Sequence, residues 1–189
     1  MSNLDIEFKE WPKIPRGQNE VVSITEKIDG TNACIVIDED SKIVGVQSRK
    51  RFITPENDNY GFAGWVERNR ESLETMGKGY HYGEWAGLGI QKNHHGFSEK
   101  QFMLFNTQRW NPNNPNLPEC CSVVPLLYEG ELLNTTIDET MDDLHHWYRS
   151  TNILNQSTLK PEGIVVWYHK TRRYAKFTFD NQEGKWANE

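Results

Sequence analysis

The sequence has few cysteines, no long apolar run and no excess of basic charge. Cys34, Cys120 and Cys121 are its only cysteines, and an odd number with one adjacent pair fits neither a disulfide framework nor a zinc-ligand spacing. No segment approaches the ~18 apolar residues that a membrane span needs. The N-terminal stretch MSNLDIEFKEW lacks the apolar centre of a signal peptide. These absences predict a cytoplasmic protein without a membrane anchor.

The charge balance restricts how the protein can bind nucleic acid. Its 21 Lys and Arg residues are outnumbered by 27 Asp and Glu residues, which gives a formal net charge of -6. A uniformly basic surface is excluded, so any nucleic-acid binding needs local patches. Aromatic residues make up 12% of the chain, which predicts a core built largely from rings. The length of 189 residues fits one domain, and we predict a single domain over residues 1–189.

Short apolar runs separated by turn residues dominate the chain. They predict strands over 21–27, 33–38, 42–48, 80–85, 101–108, 123–128, 162–168 and 173–179. Helical periodicity predicts one helix between Gly61 and Gly77. A second predicted helix runs from Thr136 to Trp147, and the spacing of Thr136 and Glu139 is that of a capping box. Many strands with few helices indicate an α+β fold with largely antiparallel sheets.

The segment EKIDGTN, from Glu26 to Asn32, places a lysine at the end of an apolar strand. An amine attacks phosphorus only when it is unprotonated, and a free lysine has a pKa of about 10.4. Burial or neighbouring positive charge lowers the pKa of a lysine and makes it a usable nucleophile. Lys27 is therefore a candidate nucleophile. Taken alone, the segment is explained at least as well by an ordinary hairpin turn.

Two later segments add a carboxylate and a second lysine. KPEGIVV, from Lys160 to Val166, places Glu162 at the start of an apolar strand. A carboxylate there suits Mg²⁺, because this ion prefers a few carboxylates together with waters and substrate phosphates. In YAKFTF, which begins at Tyr174, Lys176 lies on the polar face of a strand and can point into a cleft. Taken alone, each segment is better explained as the solvated side of a strand.

The order of these three segments resembles the covalent nucleotidyltransferase superfamily of ATP-dependent ligases and mRNA capping enzymes. SRKR at 48–51 and YGEWAG at 82–87 lie where the family has further motifs, and YGEWAG resembles the Gly-Glu-x-x-Gly element of the T4 RNA ligase 2 branch. DNA ligases and capping enzymes usually have Arg where Asn32 stands. The resemblance covers Ile24 to about Phe179. It implies the nucleotidyltransferase (ATP-grasp-like) fold, with largely antiparallel sheets flanking an ATP cleft.

The resemblance implies three catalytic roles. Lys27 resembles the nucleophile that carries AMP. Glu162 resembles the acid that organises the metal, and Lys176 resembles the lysine that neutralises phosphate and contacts the nucleotide. Glu26 and Ile28, which flank the nucleophile, are expected to contact the nucleotide as well.

The resemblance also implies contacts to the rest of the nucleotide. Asn32 and Arg49 resemble contacts to ribose and to phosphate, with Arg51 as the alternative arginine. Glu84 resembles an acid linked to the ribose or to the metal. Phe105 resembles the ring that stacks on adenine.

The residues expected to bind RNA form one predicted patch near the phosphate end of the cleft. Its members are basic, namely Arg49, Lys50, Arg51, Lys170, Arg172 and Arg173. Relatives usually have two lysines in the last element, whereas this chain has only Lys176 there. Arg172 or Arg173 can take the place of the second lysine. Relatives also carry a C-terminal OB-fold or helical domain, which we do not expect here and which a protein partner can supply.

The predicted function is ATP-dependent ligation of RNA with 5′-phosphate and 3′-hydroxyl ends, through a lysyl-AMP intermediate and with Mg²⁺ or Mn²⁺. One alternative is another enzyme of the superfamily, a DNA ligase or a GTP-using capping enzyme. A second alternative is a non-catalytic binder of nucleic-acid ends with the same fold, which the single lysine of the last element slightly favours. A standalone ligase of this size suggests a phage or viral source.

Other conspicuous residues are not assigned to chemistry. The adjacent histidines at 94–95 and 145–146 point apart, so neither pair is expected to bind a metal. The pair at 94–95 is expected to line a substrate groove. Trp65 and Trp147 fall on helical stripes and are expected in the core.

Overall fold

Two sheets and three helices make up the described part of the protein. The computed structural model describes residues 20–111, 113–155 and 159–179. The strands are β1 (Val21–Glu26), β2 (Gly30–Ile37), β3 (Ile43–Ser48), β4 (Gly79–Ala86), β5 (Gln101–Leu104), β6 (Cys121–Val123), β7 (Leu126–Glu131), β8 (Gly163–Tyr168) and β9 (Arg173–Thr178). The helices are α1 (Phe62–Arg68), α2 (Arg70–Glu74) and α3 (Thr136–Asn155).

The first sheet has the strand order β7-β1-β8-β9, and all of its pairs are antiparallel. Alternate residues of β1 and β8 are apolar and pack against one side of α3. The buried residues of this interface are Val22, Ile24, Ile164, Val166, Met141, Leu144 and Tyr148. The other face of the sheet carries a mixture of side chains, among them Thr25, Val165, Trp167 and Lys176, and we call the space between this face and the second sheet the cleft.

The second sheet has the order β3-β2-β4-β5-β6, antiparallel except for the parallel pair β5–β6. One of its faces packs against α1 and α2 around a group of aromatic rings. The centroid of Phe62 lies 4.9 Å from that of Phe102 and 5.3 Å from that of Trp85, and Trp65 packs beside them. Rings thus form the centre of this core, but aliphatic side chains outnumber them among the buried residues, so the expectation of a core built largely from rings is wrong.

The second sheet is inserted between β1 and β7 of the first. The chain leaves the first sheet through residues 27–29 and returns to it through Val124 and Pro125. The two crossings lie side by side, because the Glu26 N–H donates to the Pro125 carbonyl at 2.9 Å.

The α+β class with largely antiparallel sheets is confirmed, but several element bounds differ from those predicted. The helix expected between Gly61 and Gly77 is two helices, because the Asn69 side chain donates to the Trp65 carbonyl and the backbone leaves helical geometry there. The strand expected over 123–128 is the end of β6 and the start of β7, since Pro125 interrupts it. Helix α3 extends to Asn155 instead of ending at Trp147.

Two expectations for α3 are wrong. Trp147 is 58% exposed, because it lies beside the helical stripe of Met141, Leu144 and Tyr148 that packs against the sheet. Thr136 does open the helix, but its hydroxyl accepts from the Leu133 N–H at 2.9 Å instead of capping the first turn. Among the described residues, no helix is long and apolar enough to cross a membrane.

Candidate active site

Lys27 lies at the crossing from the first sheet to the second. Its N–H donates to the Gly163 carbonyl at 2.9 Å, which holds it beside the start of β8. Thr25 lies opposite Val165, and Val165 opposite Lys176, in adjacent antiparallel pairs. Opposed residues share a face, as do residues two apart along a strand. The face turned away from α3 therefore carries Lys27 and Lys176, and Lys176 is exposed.

Glu162 is the ion-pair partner of Lys27. Its Oε1 contacts the Lys27 ammonium, and both side chains are largely shielded from solvent. The other oxygen of the same carboxylate, Oε2, is buried and has no hydrogen-bond partner among the described residues. A buried, unsatisfied carboxylate oxygen is costly unless a cation or donor reaches it. The described residues contain no group of three or more His, Cys, Asp or Glu side chains that could hold a metal ion.

Glu84 and Asn32 form the opposite wall of the cleft. They are register partners on β4 and β2, and the Asn32 amide donates to Glu84 Oε2 at 3.0 Å. Burial raises the pKa of Glu84 to about 7, and the nearby carboxylate of Glu162 acts in the same direction. The charge of Lys27 and the hydrogen bond from Asn32 oppose that rise. The four side chains thus form one electrostatic unit contributed by both sheets.

The raised pKa of Glu84 predicts a pH-dependent stability. Between about pH 4.5 and pH 7 the folded protein keeps the Glu84 proton, whereas the unfolded chain releases it. The stability that this proton contributes is therefore full below about pH 4.5 and is lost as the pH rises through about 7. The full difference between the folded and unfolded pKa values corresponds to about 3 kcal/mol in the free energy of unfolding. We expect the melting temperature of the wild type to fall relative to that of Glu84→Gln as pH rises over this range.

This expectation is checked by thermal unfolding in EDTA over a pH series. Glu71→Gln, at an exposed position of α2, is the matched control and should follow the wild type throughout. A constant difference between wild type and Glu84→Gln would contradict the assignment.

Phe105 follows β5 and lies on the same face of the second sheet as Glu84, because Glu84 lies opposite Met103. The ring packs against the buried cluster that contains Ile28, Met103 and Val124. Ile28 is only 5% exposed, so its side chain supports this wall from within. The predicted adenine ring contact, Phe105, is thus brought to the cleft that holds Lys27.

The structure distinguishes the two candidate arginines after β3. The Arg51 guanidinium donates to the carbonyls of Asn57 at 2.8 Å and Asp58 at 3.1 Å, so it braces the loop that precedes α1. Arg49 and Lys50 are exposed, and within the described chain the Arg49 side chain makes no hydrogen bond or ion pair. Arg49 is therefore the arginine left available to a ligand.

Two members of the predicted basic patch lie at one end of the first sheet. Arg173 lies opposite Tyr168, at the far end of the β8–β9 pair from Gly163 and Lys27, and Arg172 precedes it. Five residue steps along a strand correspond to roughly 17 Å. Their contact with RNA stays a prediction.

Glu26 faces α3 instead of the cleft, and it anchors a buried network. Its Oε1 accepts from the Tyr148 hydroxyl at 2.6 Å, and His95 Nδ1 lies 2.8 Å from the same hydroxyl. The Asp29 N–H donates to His95 Nε2 at 3.0 Å, which assigns the ring proton to Nδ1. A chain of hydrogen bonds therefore runs from α3 to the backbone of the Lys27 loop.

This network was not predicted from the sequence. His95 was expected to line a groove, but its side chain is only 4% exposed and lies behind the loop. Its neighbour His94 is closer to the expectation, at 3.9 Å from the Asp29 carboxylate and partly exposed. No local pattern links positions 53 apart, and only the fold brings His95 to Tyr148.

Removing the Tyr148 hydroxyl should destabilise the protein. Burial raises the pKa of Tyr148, and the neighbouring Glu26 reinforces the rise, so the hydroxyl stays protonated and donates. Tyr148→Phe leaves a buried carboxylate and an imidazole N–H without this partner, at a cost of about 1–3 kcal/mol. Urea unfolding measures the loss. Tyr128→Phe, whose hydroxyl bonds the Glu131 carbonyl on the surface, should lose far less, and an equal loss would contradict the role of the buried network.

The fold and this site define the class: an α+β protein of two sheets, with a lysine and carboxylates gathered where the sheets join. Residues 20–186 match the family model described as RNA ligase. The chain therefore belongs to the RNA ligase family, which confirms the resemblance drawn from its motifs. A comparison with curated proteins finds no match.

Solved structures of an RNA ligase from Naegleria gruberi share the fold. A variant with ATP and Mn has a TM-score of 0.57 at 19% identity, over 85% of this chain and 49% of that one. A variant with AMP and Mn has a TM-score of 0.56 at 18% identity, over 85% and 50%. An apo variant has a TM-score of 0.57 at 20% identity, over 85% and 49%. This chain thus spans about half the length of the Naegleria protein.

Proposed function

We propose that this chain is an ATP-dependent RNA ligase that joins 3′-hydroxyl and 5′-phosphate ends through AMP bound to Lys27. The observation that carries the proposal is the contact between Lys27 and Glu162 at the junction of the two sheets, in a chain of the RNA ligase family. The ATP, AMP and Mn in the Naegleria structures support ATP as the nucleotide and a divalent ion as its companion.

The proposed reaction has three balanced steps. The Lys27 amine attacks the α-phosphorus of ATP, an N–P bond forms, and the P–O bond to pyrophosphate breaks. The 5′-phosphate of RNA then attacks the same phosphorus, the N–P bond breaks, and AMP is joined to the RNA end. Finally, a 3′-hydroxyl attacks the RNA 5′-phosphorus, a P–O ester bond forms, the P–O bond to AMP breaks, and the hydroxyl proton passes to solvent. Lys27 must lose a proton before the first step, and Glu162 is the carboxylate in contact with it.

We assign roles to the remaining residues of the cleft from their positions. Lys176 lies on the same face as Lys27 and neutralises phosphate oxygens. The pair of Asn32 and Glu84 binds the ribose, and Phe105 contacts the base. We assign the transfer of adenylate to the two sheets and their connecting segments.

The carboxylates fit a divalent metal ion. Glu162 Oε2 is a buried oxygen without a partner, and Glu84 lies within its electrostatic range. Mg²⁺ and Mn²⁺ bind through few carboxylates and complete their shells with waters and substrate phosphates. When bound, the ion supplies positive charge to the oxygens of the reacting phosphate.

Nucleotide labelling tests the proposal. The protein is incubated with α-labelled ATP or α-labelled GTP and a divalent ion, and then with 5′-phosphorylated RNA or DNA. We expect label from ATP only, and its transfer to RNA ends. Label from GTP would favour a capping-type enzyme, and transfer to DNA alone would favour a DNA ligase. A protein that takes neither label but binds RNA ends would be a non-catalytic binder.

RNA binding should depend on salt through the basic residues beside the cleft. Arg49→Ala/Lys50→Ala should reduce the slope of log affinity against log salt by about 1.4, since a single strand loses about 0.7 per phosphate contact. Arg172→Ala/Arg173→Ala removes the same charge at the far end of β9 and serves as the matched control. A smaller slope in the second variant alone would assign the RNA path to the β8–β9 turn.

A further inference from the structure

Three large rings are exposed on the cleft side of the second sheet. Phe52 is 67% exposed, Tyr80 is 60% exposed and Tyr82 is 53% exposed. A single exposed ring is ordinary, whereas a contiguous exposed apolar patch indicates an interaction surface. We call Phe52, Tyr80 and Tyr82 the aromatic platform.

The backbone places these rings side by side. Tyr80 and Tyr82 are alternate residues of β4, and their ring centroids lie 6.0 Å apart with the planes only 16° from parallel. Val36 of β2 pairs with Tyr80 on one side and with Gly45 of β3 on the other. The ring of Phe52 lies over Gly45, where an added Cβ would come within 2.9 Å of it. Gly45 thus leaves room for a ring that extends the platform across three strands.

The platform continues into the proposed nucleotide site. Tyr82 precedes Glu84 by two residues on the same face of β4, a separation of roughly 7 Å. The exposed basic residues Arg49 and Lys50 follow β3 at the edge nearest the register pair Asn32–Glu84. A ligand that reaches from Lys27 onto this sheet therefore meets positive charge and then a row of rings.

We propose that the aromatic platform stacks the bases of a single-stranded RNA segment next to the end that is joined. The identity of the ligand as RNA rests on the proposed function. Flat aromatic rings on an open sheet, beside cations for phosphates, are the combination by which proteins bind single strands without reading sequence. Every base has a stacking face, so the platform accepts any sequence.

The test compares RNA affinity with adenylation in the same variants. Phe52→Ala/Tyr80→Ala removes two rings, and Phe52→Tyr/Tyr80→Phe keeps both. Trp147→Ala removes an exposed ring from α3, on the other side of the first sheet. Fluorescence anisotropy with a 5′-phosphorylated single-stranded oligoribonucleotide gives the affinity, and intact-mass spectrometry after ATP and Mg²⁺ gives the adenylation.

We expect the double alanine variant to bind RNA at least about tenfold more weakly, since each stacked base contributes at least about fivefold and two rings are removed. The ring-keeping variant and Trp147→Ala should bind like the wild type, and all should acquire AMP equally. Unchanged affinity in the alanine variant, or an equal loss of affinity in Trp147→Ala, would refute the proposal that the platform stacks RNA bases.

Two further outcomes separate the platform from the proposed function. A wild type that acquires AMP while the alanine variant binds RNA normally overturns the platform alone. A wild type that neither acquires AMP nor binds RNA overturns both.

If the wild type self-associates and the alanine variant does not, the platform is a contact between copies of this chain, and the RNA assignment is overturned.

Discussion

Lys27→Ala is expected to acquire no AMP from ATP, with a loss of at least about 10³-fold in the rate of adenylation, because covalent catalysis cannot proceed without its nucleophile. Lys27 is held at the sheet crossing by its backbone bond to Gly163 and by its contact with Glu162. Lys27→Arg should fail as well, since a guanidinium stays protonated and cannot attack. Intact-mass spectrometry after incubation with ATP and a divalent ion is the measurement.

Lys42→Ala is the matched control for this experiment. Its ammonium pairs with Glu74 on the surface of the second sheet, far from the cleft, so the variant should acquire AMP normally. Lys176 is the other amine on the cleft face, so the double variant Lys27→Ala/Lys176→Ala shows whether it can replace the nucleophile. A Lys27 variant that still acquires AMP at the wild-type rate would place the nucleophile elsewhere.

Glu162→Gln is expected to slow adenylation by about 10²–10³-fold, the range found when one electrostatic contact to a reacting group is lost. The substitution preserves size and backbone, so β8 keeps its pairing with β1 and β9. It removes the charge that contacts Lys27 and weakens the unsatisfied oxygen as a metal ligand.

The measurement is the adenylation rate over a series of Mg²⁺ concentrations. A higher Mg²⁺ requirement would agree with metal binding at Glu162, and a slower rate at every concentration would agree with a role toward Lys27 alone. Glu71→Gln neutralises an exposed carboxylate on α2 and should behave like the wild type. Full activity of Glu162→Gln would refute both roles.

The strand patterns predicted the elements that carry Lys27, Glu162 and Lys176, and the resemblance to the nucleotidyltransferase superfamily placed the three residues in one site. No local pattern specifies that β1 pairs with β8, and that pairing brings the end of β1 to the start of β8. The Lys27–Glu162 contact therefore depends on the order of the strands in the sheet.

Local sequence patterns could not predict the features that depend on loops and on packing. The choice between Arg49 and Arg51 depends on carbonyls that the loop at 57–58 presents. The Tyr148–His95 contact joins segments that lie far apart in the chain. Trp147 has the spacing of a core residue, yet only the way α3 rotates its stripe of Met141, Leu144 and Tyr148 onto the sheet decides that Trp147 stays exposed.

The side-by-side entry and exit of the second sheet gather the site at one short stretch of chain. Lys27 belongs to the outgoing crossing, and the Glu26 N–H before it donates to the Pro125 carbonyl of the returning crossing at 2.9 Å. Glu162, before β8, contacts the Lys27 ammonium, and the charge of the same lysine acts on Glu84 of the second sheet. A single ammonium thus stands between carboxylates from both sheets, so its removal leaves two like charges to repel each other across the junction.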